Sequence, residues 1–281
     1  MPGAYRDRMD GHAPAQPAPR DRAVSGGHWL VRLTGTGTAR QRLVCFHHAA
    51  GGPAFFWPVA RAMGPTVEVL AVQLPGRERR IRARHLTDYR AALDGVTDAL
   101  AAEPDKPTVL FGHSMGAALA YDTAARLGPA LATAAIAVSA RATPGEKPAT
   151  DPATLSEPDL IAHLTKYGGV SDAVLADAAL RRLFLPLFRS DLRLIASRPE
   201  ITAATERPLL ALAGRNDRHA LPDAMEAGWA PLARGGFTLE RVEGGHFFPA
   251  ERPDTVARCL HRTLDALAPA APRKPAPALS P

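Results

Sequence analysis

Short apolar runs alternate along this chain with longer stretches in which apolar positions recur every three or four residues, the pattern of a mostly parallel sheet flanked by helices. The runs predict strands at Trp29 to Leu33, Arg42 to Phe46, Val67 to Gln73, Thr108 to Phe111, Thr133 to Ser139, Pro208 to Ala213 and Phe237 to Val242. The clearest helix opens at a Thr87 cap and carries Tyr89, Leu93, Val96 and Leu100, whose spacing lines one apolar stripe up against the sheet. A second helix follows Ser114 and reaches Leu127. A last one, from Asp254 to Leu267, turns Val256, Leu260, Leu264 and Leu267 inward.

One stretch breaks the alternation. From about Gly145 to Glu200 no β-run occurs, while helical spacings such as Leu160, Leu164 and Tyr167 recur. This reads as a helical insertion between two strands, placed over their carboxyl ends, where ligands bind in open α/β folds; it is a candidate lid. Residues 1–27 and 268–281 mix Pro, Ala, Gly and Arg without periodicity and are expected to be disordered tails around one domain, residues 28–267.

Chemistry enters at Val109-Leu110-Phe111-Gly112-His113-Ser114-Met115-Gly116-Ala117, an apolar strand, a G-x-S-x-G turn and a small-residue helix start. This strand-to-helix context is what a nucleophile elbow requires, and it predicts the α/β-hydrolase fold with Ser114 projected above the sheet. An exposed serine is inert without a base, and the fold supplies Ser, then an acid, then His along the chain. His246 lies just past the final β-run in Glu243-Gly244-Gly245-His246-Phe247-Phe248, the expected place for the base. His113 should point elsewhere on the elbow, and His163 and His261 fall on helical patterns as structural or solvated residues. Asp217 closes the run Leu209 to Asp217 and is the candidate acid, with helix capping as its alternative role. No carboxylate follows the preceding strand in Ser139-Ala140-Arg141-Ala142-Thr143-Pro144, and Asn216 cannot serve as an acid.

The oxyanion donors are expected to be the backbone N–H of Met115 and one from the loop Phe46-His47-His48-Ala49-Ala50-Gly51-Gly52. A metal site at His47-His48 is not expected, because adjacent strand residues face opposite sides and no acidic or thiol cluster completes it. His48 is read instead as a brace for the loop. No cofactor is implied.

Composition changes this picture little. The chain has 281 residues, 46% hydrophobic and 22% charged, the balance of a globular protein with a sizeable core. Its net charge of +6 comes with an arginine-rich, Ala/Gly/Pro-rich composition and no nucleic-acid-binding motif, so nucleic acid is not an expected partner. No signal-like segment or uninterrupted run of 18 apolar residues occurs, which predicts a cytoplasmic protein without a membrane span, taken here as a monomer. Cys45 and Cys259 are expected to be free thiols.

These motifs resemble the type II thioesterases that accompany polyketide and nonribosomal peptide synthases. The resemblance covers about Arg42 to Arg262. It rests on Phe46-His47-His48-Ala49-Ala50-Gly51, Gln73-Leu74-Pro75-Gly76-Arg77-Glu78, the Ser114 elbow and Gly244-Gly245-His246-Phe247-Phe248. In the insertion, Leu164 to Gly169 and Leu185-Pro186-Leu187-Phe188-Arg189-Ser190-Asp191 look like the family's lid. The resemblance implies hydrolysis of acyl groups from the phosphopantetheine arm of an acyl or peptidyl carrier protein. It places the triad on Ser114, Asp217 and His246 and the oxyanion donors on the N–H groups of Ala49 and Met115, with no metal or cofactor. Two departures, His47 for the family's proline and Ala50 for its first glycine, alter the oxyanion loop. The run Arg77, Arg79, Arg80, Arg82 and Arg84 is either a solvated loop or a docking patch for an acidic carrier or the arm's phosphate. A carboxylesterase or lipase, an acyltransferase or cyclase, and a noncatalytic binding module of the same fold are the rival readings.

Overall fold

The computed structural model describes residues 29–267 apart from 37, 132, 168–174 and 200–202. Both expected tails lie outside the described residues, as do Gly168, Gly169 and Glu200 of the insertion. The chain builds β1 (Leu30–Thr34), β2 (Gln41–Phe46), α1 (Trp57–Ala62), β3 (Val67–Val72), α2 (Tyr89–Ala101), β4 (Thr108–His113), α3 (Met115–Leu127) and β5 (Ala134–Ser139). The insertion follows as α4 (Glu157–Tyr167) and α5 (Ala178–Ala196). Then come β6 (Leu209–Gly214), α6 (Pro222–Trp229), β7 (Phe237–Val242), the single turn α7 (Phe248–Glu251) and α8 (Pro253–Leu267).

The seven strands lie in the order β1-β3-β2-β4-β5-β6-β7. Only β1 runs antiparallel, at one edge against β3, and the other pairings are parallel. Strands β2 to β6 read as continuous apolar runs because helices cover both faces. On β4, Leu110 packs with α2 and α3, while Val109 and Phe111 packs with α1 and α8. β5 divides the same way, Ile136 and Val138 on one side, Ala135 and Ala137 on the other. A third, smaller apolar cluster, Leu160, Leu164, Leu185, Phe188 and Leu192, holds α4 to α5 in the insertion.

Two expected boundaries move for local reasons. Asp88, not Thr87, caps α2: its side chain accepts the Arg90 N–H at 2.8 Å, and the Thr87 carbonyl accepts instead from Ser197 Oγ at 3.1 Å. β4 runs two residues past Phe111 because Gly112 and His113 keep their pairing with Val138 and Ser139 of β5. α8 buries Val256, Leu260 and Leu264 as expected, with Leu267 only partly covered. The insertion does fall between β5 and β6, and no described helix is long and apolar enough to cross a membrane. Cys45 and Cys259 are buried free thiols.

Candidate active site

Ser114 sits between the end of β4 and the start of α3 with φ 54° and ψ −117°, a backbone conformation that costs energy for any residue with a Cβ. Its neighbours hold it there. The Ser114 N–H donates to the Ser139 carbonyl of β5 at 2.8 Å. A Cβ on Gly112 would lie 2.2 Å from the Gly116 carbonyl oxygen, and one on Gly116 would lie 2.1 Å from that of Phe46. The two glycines thus let the helix start close against β4 and β2, and the turn cannot relax away from the sheet.

His246 and Asp217 come from the ends of adjacent strands β7 and β6. The loops are tied by Arg215 N–H to the Val242 carbonyl at 2.8 Å and Asn216 N–H to the Gly244 carbonyl at 3.0 Å, with Gly244 at φ 130°. Asp217 is buried, and its Oδ2 lies 2.9 Å from His246 Nδ1. Its Oδ1 accepts the backbone N–H groups of His219 at 2.9 Å and Ala220 at 3.3 Å. Burial pushes the Asp217 carboxyl up, but the His246 hydrogen bond and charge and the two backbone donors outweigh it and bring the net pKa below the ordinary carboxylate value. Asp217 therefore stays an ionised acceptor, which fixes the hydrogen of a neutral His246 on Nδ1 and leaves Nε2 as its basic nitrogen. Ser114 and His246 face one cavity. Asp217 Oδ1 closes a local turn onto residues 219 and 220 rather than capping α6, whose N-cap is Leu221 with no side-chain bond.

An aromatic and imidazole cluster packs around His246. The His113 ring lies 5.4 Å from that of His246 and stacks on Phe55 at 5.0 Å, while His48 meets Phe55 edge-on at 4.6 Å and Phe247 at 5.0 Å. His113 is wholly buried, with Nδ1 2.8 Å from Ser139 Oγ. Because that hydroxyl donates to the Gly112 carbonyl at 3.3 Å, His113 Nδ1 carries the hydrogen. Burial, with His246 and His48 nearby, pushes the His113 pKa well down. A neutral donor of this kind is a prop for the elbow rather than a base. His48 borders the cavity and braces the loop from below, since a Cβ on Gly51 would strike its ring at 2.7 Å. Its pKa is pushed down to about 3 by its enclosed position and by His47 and His246. Among the described residues no group of three or more His, Cys, Asp or Glu side chains could hold a metal ion.

The loop expected to supply an oxyanion donor follows β2. Ala49 and Met115 both border the cavity, beside Ser114. Ala50, where the family pattern has glycine, adopts φ 60°, and its N–H donates to Asp191 Oδ2 of α5 at 2.7 Å. The Ala50 N–H is thus committed, and the neighbouring Ala49 N–H is the donor that the family resemblance implies.

The insertion forms the opposite wall of this cavity, which measures about 340 Å³, at the small end for small-molecule sites. Leu164, Phe184, Phe188, Leu192 and Ile195 give it apolar lining, and Arg141, Glu146, Lys166 and Tyr167 give it polar lining. Three cavity residues carried no signal in the sequence that assigned them to the site. His163, expected to be structural or solvated, borders the cavity and meets the Phe188 ring at 5.7 Å. The Tyr167 ring lies 5.0 Å from that of His246, and the His219 ring meets Tyr167 at 4.1 Å with the planes tilted by 39°. Their roles depend on how the insertion folds back over β6, which local periodicity does not encode.

The arginine run divides. Arg77 is buried and Arg80 lies over the Trp29 ring at 4.7 Å, donating to the Gln73 carbonyl at 3.0 Å. Only Arg79, Arg82 and Arg84 are exposed. The docking reading thus loses two of its five members to structural duty.

Residues 41–264 match the family model described as a thioesterase domain. A probable cadicidin biosynthesis thioesterase of Streptomyces griseus is 34% identical over 96% of this chain and 75% of its own length. Thioesterase PikA5 of Streptomyces venezuelae is 32% identical over 80% of this chain and 81% of its own. The structure of the type II thioesterase BorB from the borrelidin biosynthetic cluster superposes with a TM-score of 0.73 at 33% identity, covering 84% of this chain and 97% of that one. With this sheet order, this elbow and these relatives, the chain belongs to the thioesterase family and is a type II thioesterase of the α/β-hydrolase fold.

Proposed function

We propose that this enzyme releases acyl groups from the phosphopantetheine arm of acyl or peptidyl carrier proteins through a Ser114-His246-Asp217 triad. The observation that carries the reading is the 2.9 Å contact between Asp217 Oδ2 and His246 Nδ1, set across one cavity from a serine held at φ 54°. His246 Nε2 takes the Ser114 proton as Oγ attacks the thioester carbonyl, and the Ala49 and Met115 N–H groups stabilise the oxyanion. Collapse of the tetrahedral adduct breaks the C–S bond; the departing pantetheine thiolate takes up the proton held on His246, directly or through solvent, which leaves the carrier as a thiol and the imidazole neutral again. Water, deprotonated by the same imidazole, then attacks the acyl-serine; the acid departs and Ser114 recovers its proton.

The apolar wall from α4 and α5 supports an acyl chain as the cavity's occupant. Arg79, Arg82 and Arg84, exposed on the loop before α2, are the part of the arginine run that would meet an acidic carrier surface.

Mass spectrometry of a panel of acyl carrier proteins, beside matched simple esters, tests the reading. The expected result is free acid and the thiol form of the carrier, with Ser114→Ala about a million-fold slower. An ester preferred by orders of magnitude, or an active Ser114→Ala enzyme, would overturn it. Transfer of the acyl group to a hydroxyl or amine in place of water would mark an acyltransferase.

A further inference from the structure

The lid helix is fastened to the loop that carries Ala49. Asp191, buried on α5, accepts the Ala50 N–H on Oδ2 at 2.7 Å and the Arg77 guanidinium on both oxygens, at 2.9 Å from Nη1 and 2.8 Å from Nη2. Arg77 Nη1 also donates to the Gly51 carbonyl at 2.9 Å. One buried ion pair therefore grips the loop by a donor at residue 50 and an acceptor at residue 51. The grip falls where the backbone is least able to hold itself, since Ala50 stands at φ 60° with a Cβ.

The same helix is anchored to the body beyond Asp191. Arg198 pairs with Asp122 of α3 through two bonds of 2.8 Å, Tyr89 Oη donates to that carboxylate at 2.7 Å, and Ser197 Oγ accepts the Tyr89 N–H at 3.0 Å. Phe188, Leu192 and Ile195 of this fixed half wall the cavity. Ahead of it Pro186 removes one rung of the helix ladder, and Leu180 and Leu183 of the leading half are exposed.

We infer that Asp191 and Arg77 are positioning residues for the reaction: through Ala50 and Gly51 they set the direction of the Ala49 N–H, and they make the acyl-pocket wall and the oxyanion loop one rigid unit. The inference rests on the oxyanion role proposed for Ala49. A pair that only stabilised the fold would change the amount of active enzyme. A pair that aims a donor changes the stabilisation of tetrahedral species and leaves ground-state binding alone.

Asp191→Asn in the full chain separates the two. With its carbonyl oxygen where Oδ2 stands the variant can still accept the Ala50 N–H and Arg77 Nη1, but its NH2 then faces Nη2 and the ionic bidentate pair is lost. Per folded molecule, kcat on an acyl-pantetheine thioester is expected to fall by about ten- to a hundredfold with KM within about threefold. Affinity for an alkyl boronic acid, whose adduct with Ser114 places an oxygen on the donors, should fall by the same factor as kcat/KM. Arg77→Lys, which keeps a cation beside Asp191 but loses the fork, should move kcat and boronate affinity together by a smaller factor, and it carries the test if Asp191→Asn does not fold. Unchanged boronate affinity in a folded variant with reduced kcat, or unchanged kcat, would overturn the inference while leaving the thioesterase reading intact. If the wild type failed to hydrolyse the thioester, the earlier reading would fall instead.

Discussion

Replacing Asp217 by Asn tests the triad geometry without altering its shape. The outcome follows from the carboxylate's two unlike oxygens. Oδ1 faces two backbone donors, His219 N–H at 2.9 Å and Ala220 N–H at 3.3 Å, while Oδ2 faces His246 Nδ1 at 2.9 Å. An asparagine that put its NH2 on the Oδ1 side would set donor against two donors in a buried site, so its carbonyl takes that side and its NH2 turns to the histidine. His246 Nδ1 must then accept, the hydrogen moves to Nε2, and the ring can no longer take the Ser114 proton. A wrong tautomer of this kind lowers kcat by about 10⁴, or ~5.5 kcal/mol of transition-state stabilisation. The assay is single-turnover acylation with an acyl-pantetheine thioester, alongside a denaturation curve to confirm the fold and ¹⁵N spectra of the imidazole to report the tautomer. A folded Asp217→Asn enzyme within tenfold of wild type would refute the assignment of Asp217, and an unchanged Nδ1–H tautomer would refute the orientation argument.

Three further outcomes are expected. His47 and His113 are buried, and burial, reinforced at His47 by the Arg77 cation and at His113 by the neighbouring imidazoles of His246 and His48, pushes both pKa values well down. Unfolded, they protonate near pH 6.5. Below that pH the unfolded chain therefore binds protons that the folded chain does not, and stability present above pH 6.5 is lost on acidification, by up to about 1.4 kcal/mol per pH unit for each histidine. Urea denaturation at pH 7 and pH 5 checks this, and equal midpoints would contradict it. Gly116→Ala drives a Cβ to 2.1 Å from the Phe46 carbonyl oxygen, a backbone atom that cannot swing aside, and should destabilise the fold by about 1–3 kcal/mol; an unchanged denaturation midpoint would mean that α3 is free to move off β2. Reversing Arg79, Arg82 and Arg84 to Glu should raise KM for an acyl carrier protein, most strongly at low salt, and leave a free acyl-pantetheine substrate unaffected. Equal effects on both substrates would remove the docking role.

How much of this was legible in the sequence depends on the range over which each feature is fixed. The strands from β2 to β6 were readable because residues on both faces are buried, so no alternation dilutes the apolar run. The Ser114 elbow was readable for a stronger reason: the conflict between a strained serine and its neighbours is resolved within five residues, by the glycines at 112 and 116. Asp217 and His246 lie further apart, yet each is placed by the strand it follows, and adjacent strands β6 and β7 bring them together through their pairing. The cap of α2 was misplaced by one residue because Thr87 and Asp88 are both competent caps, and the choice was made by Ser197, 110 residues away.

Arg77 shows why the remainder could not be read. In the chain it is the first of five arginines in eight residues, and as a pattern it is indistinguishable from its exposed neighbours Arg79, Arg82 and Arg84. Its carboxylate partner, Asp191, is 114 residues distant across two strands and the front of the lid. A guanidinium buried without such a partner would be strongly destabilising, and one buried with it fixes geometry. The charge pattern alone therefore points to the surface, and only the fold of the insertion turns the same residue inward. The departure at Ala50 belongs to the same arrangement. An alanine at φ 60° needs external support that a glycine would not, and the Asp191 contact to its N–H supplies it. The tolerance of this loop for Ala50 and its dependence on α5 are two sides of one interaction, so an Ala50→Gly change should relieve the strain at φ 60° and lessen the reliance on Asp191: Asp191→Asn should cost less kcat in the Ala50→Gly background than alone, and an equal loss in both would contradict this.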